Sequence, residues 1–110
     1  MPTLPTATCP MSAARPEYAA VRHILTSDPI AAITAPHIGD GDFDWHGLLM
    51  KAEKMSGGER VLLRVAYDLW EAKGIVGVWE IARRLDTRNF QRVIDALAIC
   101  RGEFRAAPTR

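Results

Sequence analysis

The sequence predicts an all-α fold, a small bundle of four to five short helices with an extended N-terminal arm. Apolar residues recur at i, i+3, i+4 spacing in several separate stretches. Capping residues and glycines bracket those stretches, most clearly at Ser56-Gly57-Gly58-Glu59. No stretch alternates apolar and polar residues as a half-buried strand does. A chain of 110 residues with 48% hydrophobic and 25% charged side chains has the size and balance of one globular domain.

Residues 1–15 carry Pro2, Pro5 and Pro10 among threonines, alanines and serines. Proline donates no amide hydrogen and biases its predecessor away from helix, so this stretch is expected as an arm outside the bundle. The helical domain is expected over 16–102 and a polar tail over 103–110. Pro16, a favoured first-turn residue, opens the first helix, with Tyr18, Val21, Ile24 and Leu25 on one face. It ends near Thr26. Asp28-Pro29 caps a short turn through Ile33, which Pro36 stops.

The loop over 36–44 contains two glycines and three aspartates, all turn formers. Asp44 opens the next helix, with Trp45, Leu48, Leu49, Ala52 and Met55 in helical rhythm and Gly47 as a weak point. Ser56 and Glu59 form a capping box, each side chain satisfying the other's amide. That helix runs from Gly57 to about Lys73. Leu62, Val65, Ala66 and Leu69 form its stripe, widened by Val61 and Trp70, and Gly74 stops it. A helix over about 78–85 turns Val78, Ile81, Ala82 and Leu85 inward. After a cap at Asp86-Thr87, the last helix carries Phe90, Val93, Ile94 and Leu97 and ends at Gly102.

The formal net charge of +1 supplies no bulk attraction to nucleic acid or to an anionic membrane. No apolar run approaches the roughly 18 residues of a membrane span. Met1 to Pro10 lacks the basic residue and apolar stretch of a secretory signal. Cys9 and Cys100, far apart and alone, make no disulfide framework. These features point to a reduced, cytoplasmic protein, although a Cys9–Cys100 bridge pinning the arm is the alternative.

Several short motifs carry chemistry in other proteins. Met55-Ser56-Gly57-Gly58-Glu59-Arg60 resembles the signature motif of ABC-type ATPases, whose serine and glycine amides face a nucleotide γ-phosphate. The partner GxxxxGK[ST] loop is absent from the chain, and the capping box accounts for the residues. Asp40-Gly41-Asp42-Phe43-Asp44 resembles the start of an EF-hand. Trp45 stands where the turn glycine belongs, however, and Lys51 where the bidentate glutamate belongs. His23, His37 and His46 have no Cys or His partner at zinc-ligand spacing. No nucleophile–base arrangement is legible. The expectation is therefore a protein without enzymatic activity, cofactor, metal or small-molecule substrate.

Trp79 to Leu85 followed by Thr87 to Leu97 resembles the helix-turn-helix of DNA-binding proteins. That resemblance implies Ala82 as the close-packing residue and Arg88, Asn89, Gln91 and Arg92 as the face toward DNA. Asp86 and Thr87 depart from the family's glycine and apolar turn residues. Across 78–105, six arginines stand against Glu80, Asp86, Asp95 and Glu103, an excess of only +2.

Asp44-Trp45, Ser56 to Trp70, and Leu85-Asp86 through Asn89-Phe90 to Arg101-Gly102 also resemble small uncharacterised proteins of actinobacteria and their phages, over about half the chain. This resemblance implies a phage or mobile-element accessory protein, either a virion component or a host-factor binder. The leading expectation is a protein–protein interaction or self-assembly module using Trp79, Arg83 and Arg88, with Trp79 outside the buried stripe. The alternative is a DNA binder using Arg88, Asn89, Gln91 and Arg92.

Overall fold

Arg15 leads into the first helix with its guanidinium 4.3 Å from the centre of the Trp70 ring. It belongs to a computed structural model that describes residues 15–103. Six α-helices follow: α1 Pro16–Leu25, α2 Ala31–Thr34, α3 Trp45–Lys51, α4 Gly57–Glu71, α5 Val78–Arg84 and α6 Thr87–Cys100. Short 3-10 turns cover Ala35–His37 and Ala52–Lys54. Among the described residues there is no strand, only an isolated bridge between Ile38 and Phe43. The fold is the all-α small bundle that the periodicity predicts. Residues 1–14 of the arm expected over 1–15, with Cys9, and residues 104–110 of the tail expected over 103–110 lie outside the described residues.

Helix ends follow local chemistry. Asp44 accepts from the Gly47 amide, Ser56 and Glu59 form both halves of the capping box, and Asp86 accepts from the Asn89 amide. Each such cap contributes about 1 kcal/mol. The expected boundaries need three corrections. Pro36 does not stop the chain's turning but sits within a 3-10 turn, where its missing amide costs nothing. The Trp45 helix tightens into a 3-10 turn after Lys51. α4 ends at Glu71 because Ala72 already takes the left-handed conformation with φ 58°, two residues before Gly74, whose φ of 69° is positive as well. The Asp68 carboxylate accepts from the Gly74 and Val76 amides and holds that exit.

The core lies where α1 packs along α6 and α4. Val21, Ile24 and Leu25 of α1 meet Val61, Leu62, Val65 and Ala66 of α4 and Val93, Ala96 and Ile99 of α6. Two buried hydroxyls tie α1 to α2. Ser27 donates to the Ile24 carbonyl at 2.7 Å and Thr34 to the Leu25 carbonyl at 2.6 Å. Both groups are thereby satisfied inside the core, as buried polar groups must be.

At the other end of the core, Phe43 leaves the loop and enters an aromatic cluster. It stacks on Tyr18 with ring centres 4.9 Å apart, meets Trp70 edge-on at 5.1 Å and Trp45 at 5.4 Å. The Tyr18 hydroxyl donates to the Gly39 carbonyl and closes the loop over this cluster. Gly47 is required here. A Cβ on it would lie 2.5 Å from both the Asp44 carboxylate and the His37 ring, which bond each other across the start of α3.

Candidate docking surface on α5 and α6

α5 is two turns long and has no buried residue. Leu85 just beyond it is buried and Ile81 is half-buried, but Ala82 is exposed and Val78 is 83% exposed. The inward stripe expected of Val78, Ile81, Ala82 and Leu85 is therefore corrected to its Ile81–Leu85 corner. A helix this short, lying on the outer side of α4, reaches the core only at one corner.

α6 needs a similar correction. Its buried residues are Val93, Ala96 and Ile99, which face α1 and α4. Of the expected stripe only Val93 is inside. Phe90, Ile94 and Leu97 are between 38% and 43% exposed. They lie three and four residues apart and so form one ridge, with Leu97, Phe90 and Ile94 about 40°, 60° and 100° around the helix from Val93. α6 thus has two apolar faces, one against the bundle and one toward solvent.

Between this ridge and α5 the surface is concave. A hollow of about 180 Å³ is lined by Asp68 and by the apolar Val65, Leu69, Val76, Ile81, Val93 and Leu97. A second runs past Ala82 and Leu85 to Phe90. Trp79, 63% exposed, stands on the outer face of α5, and exposed Arg83 follows one turn later. Val78, at the start of α5, is exposed as well.

Of the remaining residues singled out in the sequence, only Gln91 borders this surface. Arg88 points toward α1 and pairs with Asp28 at 2.6 Å, and both groups are exposed. Gln91 donates to Asp95 at 3.0 Å. Asn89 and Arg92 are half-buried. Arg88, Asn89 and Arg92 therefore spread over the flank of α6 that turns to α1, Gln91 lies beside the Phe90–Ile94–Leu97 ridge, and Ala82 is open to solvent instead of packed against α6. The periodicity could not tell the two sides of α6 apart, because apolar residues occur on both.

Two other places were candidates from the sequence. The Ser56-Gly57-Gly58-Glu59 turn borders an open cleft of about 560 Å³. Its arginines are engaged within the chain: Arg60 donates to the Ala52 and Glu53 carbonyls, Arg64 pairs with Glu80, and Arg84 lies toward the Trp79 ring. In the aspartate loop, Asp42 accepts from the Phe43 amide and Asp44 caps α3 while bonding His37. The His37 bond, then the Gly47 amide, hold the Asp44 carboxyl below the usual carboxylate range. Among the described residues no group of three or more His, Cys, Asp or Glu is arranged to hold a metal. Cys100 is a half-buried free thiol whose pKa is raised by burial and then by Glu17.

His23 lies where α1 meets α6. Burial, then the nearby Arg92, lower its pKa below the ordinary 6.5, and Asp95 opposes them. Asp95 is 3.7 Å from Nε2, too far for a hydrogen bond. The native state thus favours neutral His23. Its contribution to stability is complete above pH 6.5 and is lost as pH falls from there toward the lowered native value. Urea titrations between about pH 7.5 and pH 5 should show this loss in the wild type and a flatter profile in His23→Gln. An unchanged slope in that variant would place the acid sensitivity elsewhere.

Comparison with family models, with curated proteins and with solved structures gives no match. No helix of the described residues is long and apolar enough to cross a membrane.

Proposed function

We propose that this chain is a non-enzymatic interaction module that docks a protein on the groove between α5 and α6, with Trp79 and Arg83 at its rim. One observation carries the reading. Among the exposed large apolar side chains of the described residues, Phe90, Ile94 and Leu97 form the α6 ridge and Val78 and Trp79 stand on neighbouring α5, whereas Ile75 and Leu49 border the cleft beside Ser56 and Met50 lies on α3. A concentrated apolar patch on a small domain marks an interaction site, whereas scattered apolar residues need no explanation. Exposed tryptophan and arginine are the residue types enriched at binding hot spots.

The resemblance to small proteins of actinobacteria and their phages suits an accessory protein acting in a host cytoplasm or a virion. The alternative, a helix-turn-helix DNA binder, needs polar readers on the solvent face of α6. That face carries Phe90, Ile94 and Leu97, and Arg88 is turned toward Asp28. This arrangement favours the docking reading.

Trp79→Ala tests it. With its ring mostly in water, the variant should lose less than about 0.5 kcal/mol of stability. It should weaken binding of a protein captured from the native host, in the presence of nuclease, by about 2 kcal/mol. Sequence-selective, submicromolar binding to duplex DNA, lost in Arg88→Ala, would install the alternative instead.

A further inference from the structure

We infer that the occupant of this surface is a second copy of the chain, its α6 laid antiparallel to the first across a twofold axis at Ile94. The inference rests on the docking reading and names the partner. Around the Phe90–Ile94–Leu97 ridge, Thr87, Gln91, Ala98 and Arg101 fall on the same side at alternating spacings of three and four. That is the seam by which two helices pack side by side at a shallow angle. The seam runs the length of the 14-residue α6 and beyond it to Arg101, so it presents about 20 Å of contact line.

Charge selects the antiparallel arrangement. With Ile94 facing its own copy, Phe90 of each chain meets Ala98 of the other and Leu97 meets Gln91. Arg101, at the end of one α6, then reaches Thr87 and Asp86 at the start of the other, and this contact occurs twice. A parallel pair would put Arg101 against Arg101 and Asp86 against Asp86. Asp86 uses one carboxylate oxygen to cap its own helix, which leaves the second for a partner. Among the described residues Arg101 pairs with Glu103, an exposed pair that exchanges at little cost. The helix dipoles also oppose each other favourably in this arrangement. Val78 and Ala82 form a side wall for the incoming helix, and a net charge of +1 leaves little repulsion between copies.

Sedimentation equilibrium of the full chain from about 1 μM to about 1 mM, the range of weak helix-pair interfaces, reads the association directly. A monomer–dimer equilibrium is expected. Ile94→Asp should raise its dissociation constant about 100-fold without changing the circular dichroism spectrum, because the side chain is at the surface. Arg101→Glu and Asp86→Ser, the latter keeping a capping oxygen, should each weaken it several-fold, with a smaller effect in about 1 M salt. In a Cys9→Ser, Cys100→Ala background, a mixture of Thr87→Cys and Arg101→Cys chains should oxidise to the mixed disulfide. A chain that stays monomeric overturns the inference. So does a Thr87→Cys homodisulfide formed in place of the mixed one. If the monomer nevertheless binds a different protein and Trp79→Ala abolishes that binding, the docking reading stands and only the second copy is excluded. A dimer indifferent to Ile94→Asp overturns the inference by placing the contact on another face.

Discussion

Phe43→Ala is expected to destabilise the protein by about 3–4 kcal/mol, the range for emptying a buried aromatic site. Phe43 is 6% exposed and touches Tyr18, Trp45 and Trp70, which come from α1, α3 and α4. Its ring is the buried point at which the loop over 36–44 enters the core, with half-buried Ile38 packed there too, and the Ile38–Phe43 bridge links the two. Removing it leaves a cavity among three large rings and loosens the loop that positions Asp44, the cap of α3. Phe43→Leu should cost less than half as much by refilling most of the space. Urea unfolding followed by tryptophan fluorescence measures both variants. A loss under about 1 kcal/mol in Phe43→Ala would mean that the rings close over the gap and that the loop is held by its hydrogen bonds alone.

Phe43 also shows where sequence reasoning stops. It sits in a loop rich in aspartate and glycine, outside any periodic pattern, and the sequence gives it no more weight than its neighbours. Its role depends on three rings distant in the chain. Gly47 is similar: alone it reads as a weak point in a helix, but the His37 ring lies across it. The caps were legible because capping is local. Ser56 with Glu59, Asp44 and Asp86 each need only a backbone amide three residues on, so their types at that spacing locate the helix starts. The helix ends were less so, because Ala72 takes a conformation that composition would assign to Gly74. The docking surface was half legible. Trp79 stood out as a tryptophan beside charged residues, but the ridge on α6 was concealed. Apolar residues at 90, 93, 94, 96, 97 and 99 satisfy helical spacing for either of two faces, and only the position of α1 decides between them.

That decision gives the second large effect. Ile24→Ala is expected to cost about 3–4 kcal/mol, and Ile94→Ala about 1 kcal/mol or less, although both remove the same atoms from a helix. Ile24 is fully buried in α1, the helix that packs on both α4 and α6, so its removal opens a cavity from which no neighbour can easily withdraw. Ile94 already presents more than a third of its surface to water, and its loss leaves a notch on a ridge instead of a void. The comparison should be made at low protein concentration, where a second copy does not contribute. As concentration rises, Ile24→Ala should keep its deficit, while Ile94→Ala should fall further behind the wild type as the latter gains stability from association. Equal costs for the two variants in dilute solution would show that the Phe90–Ile94–Leu97 side of α6 is packed inside the bundle, and the docking surface described here would not exist.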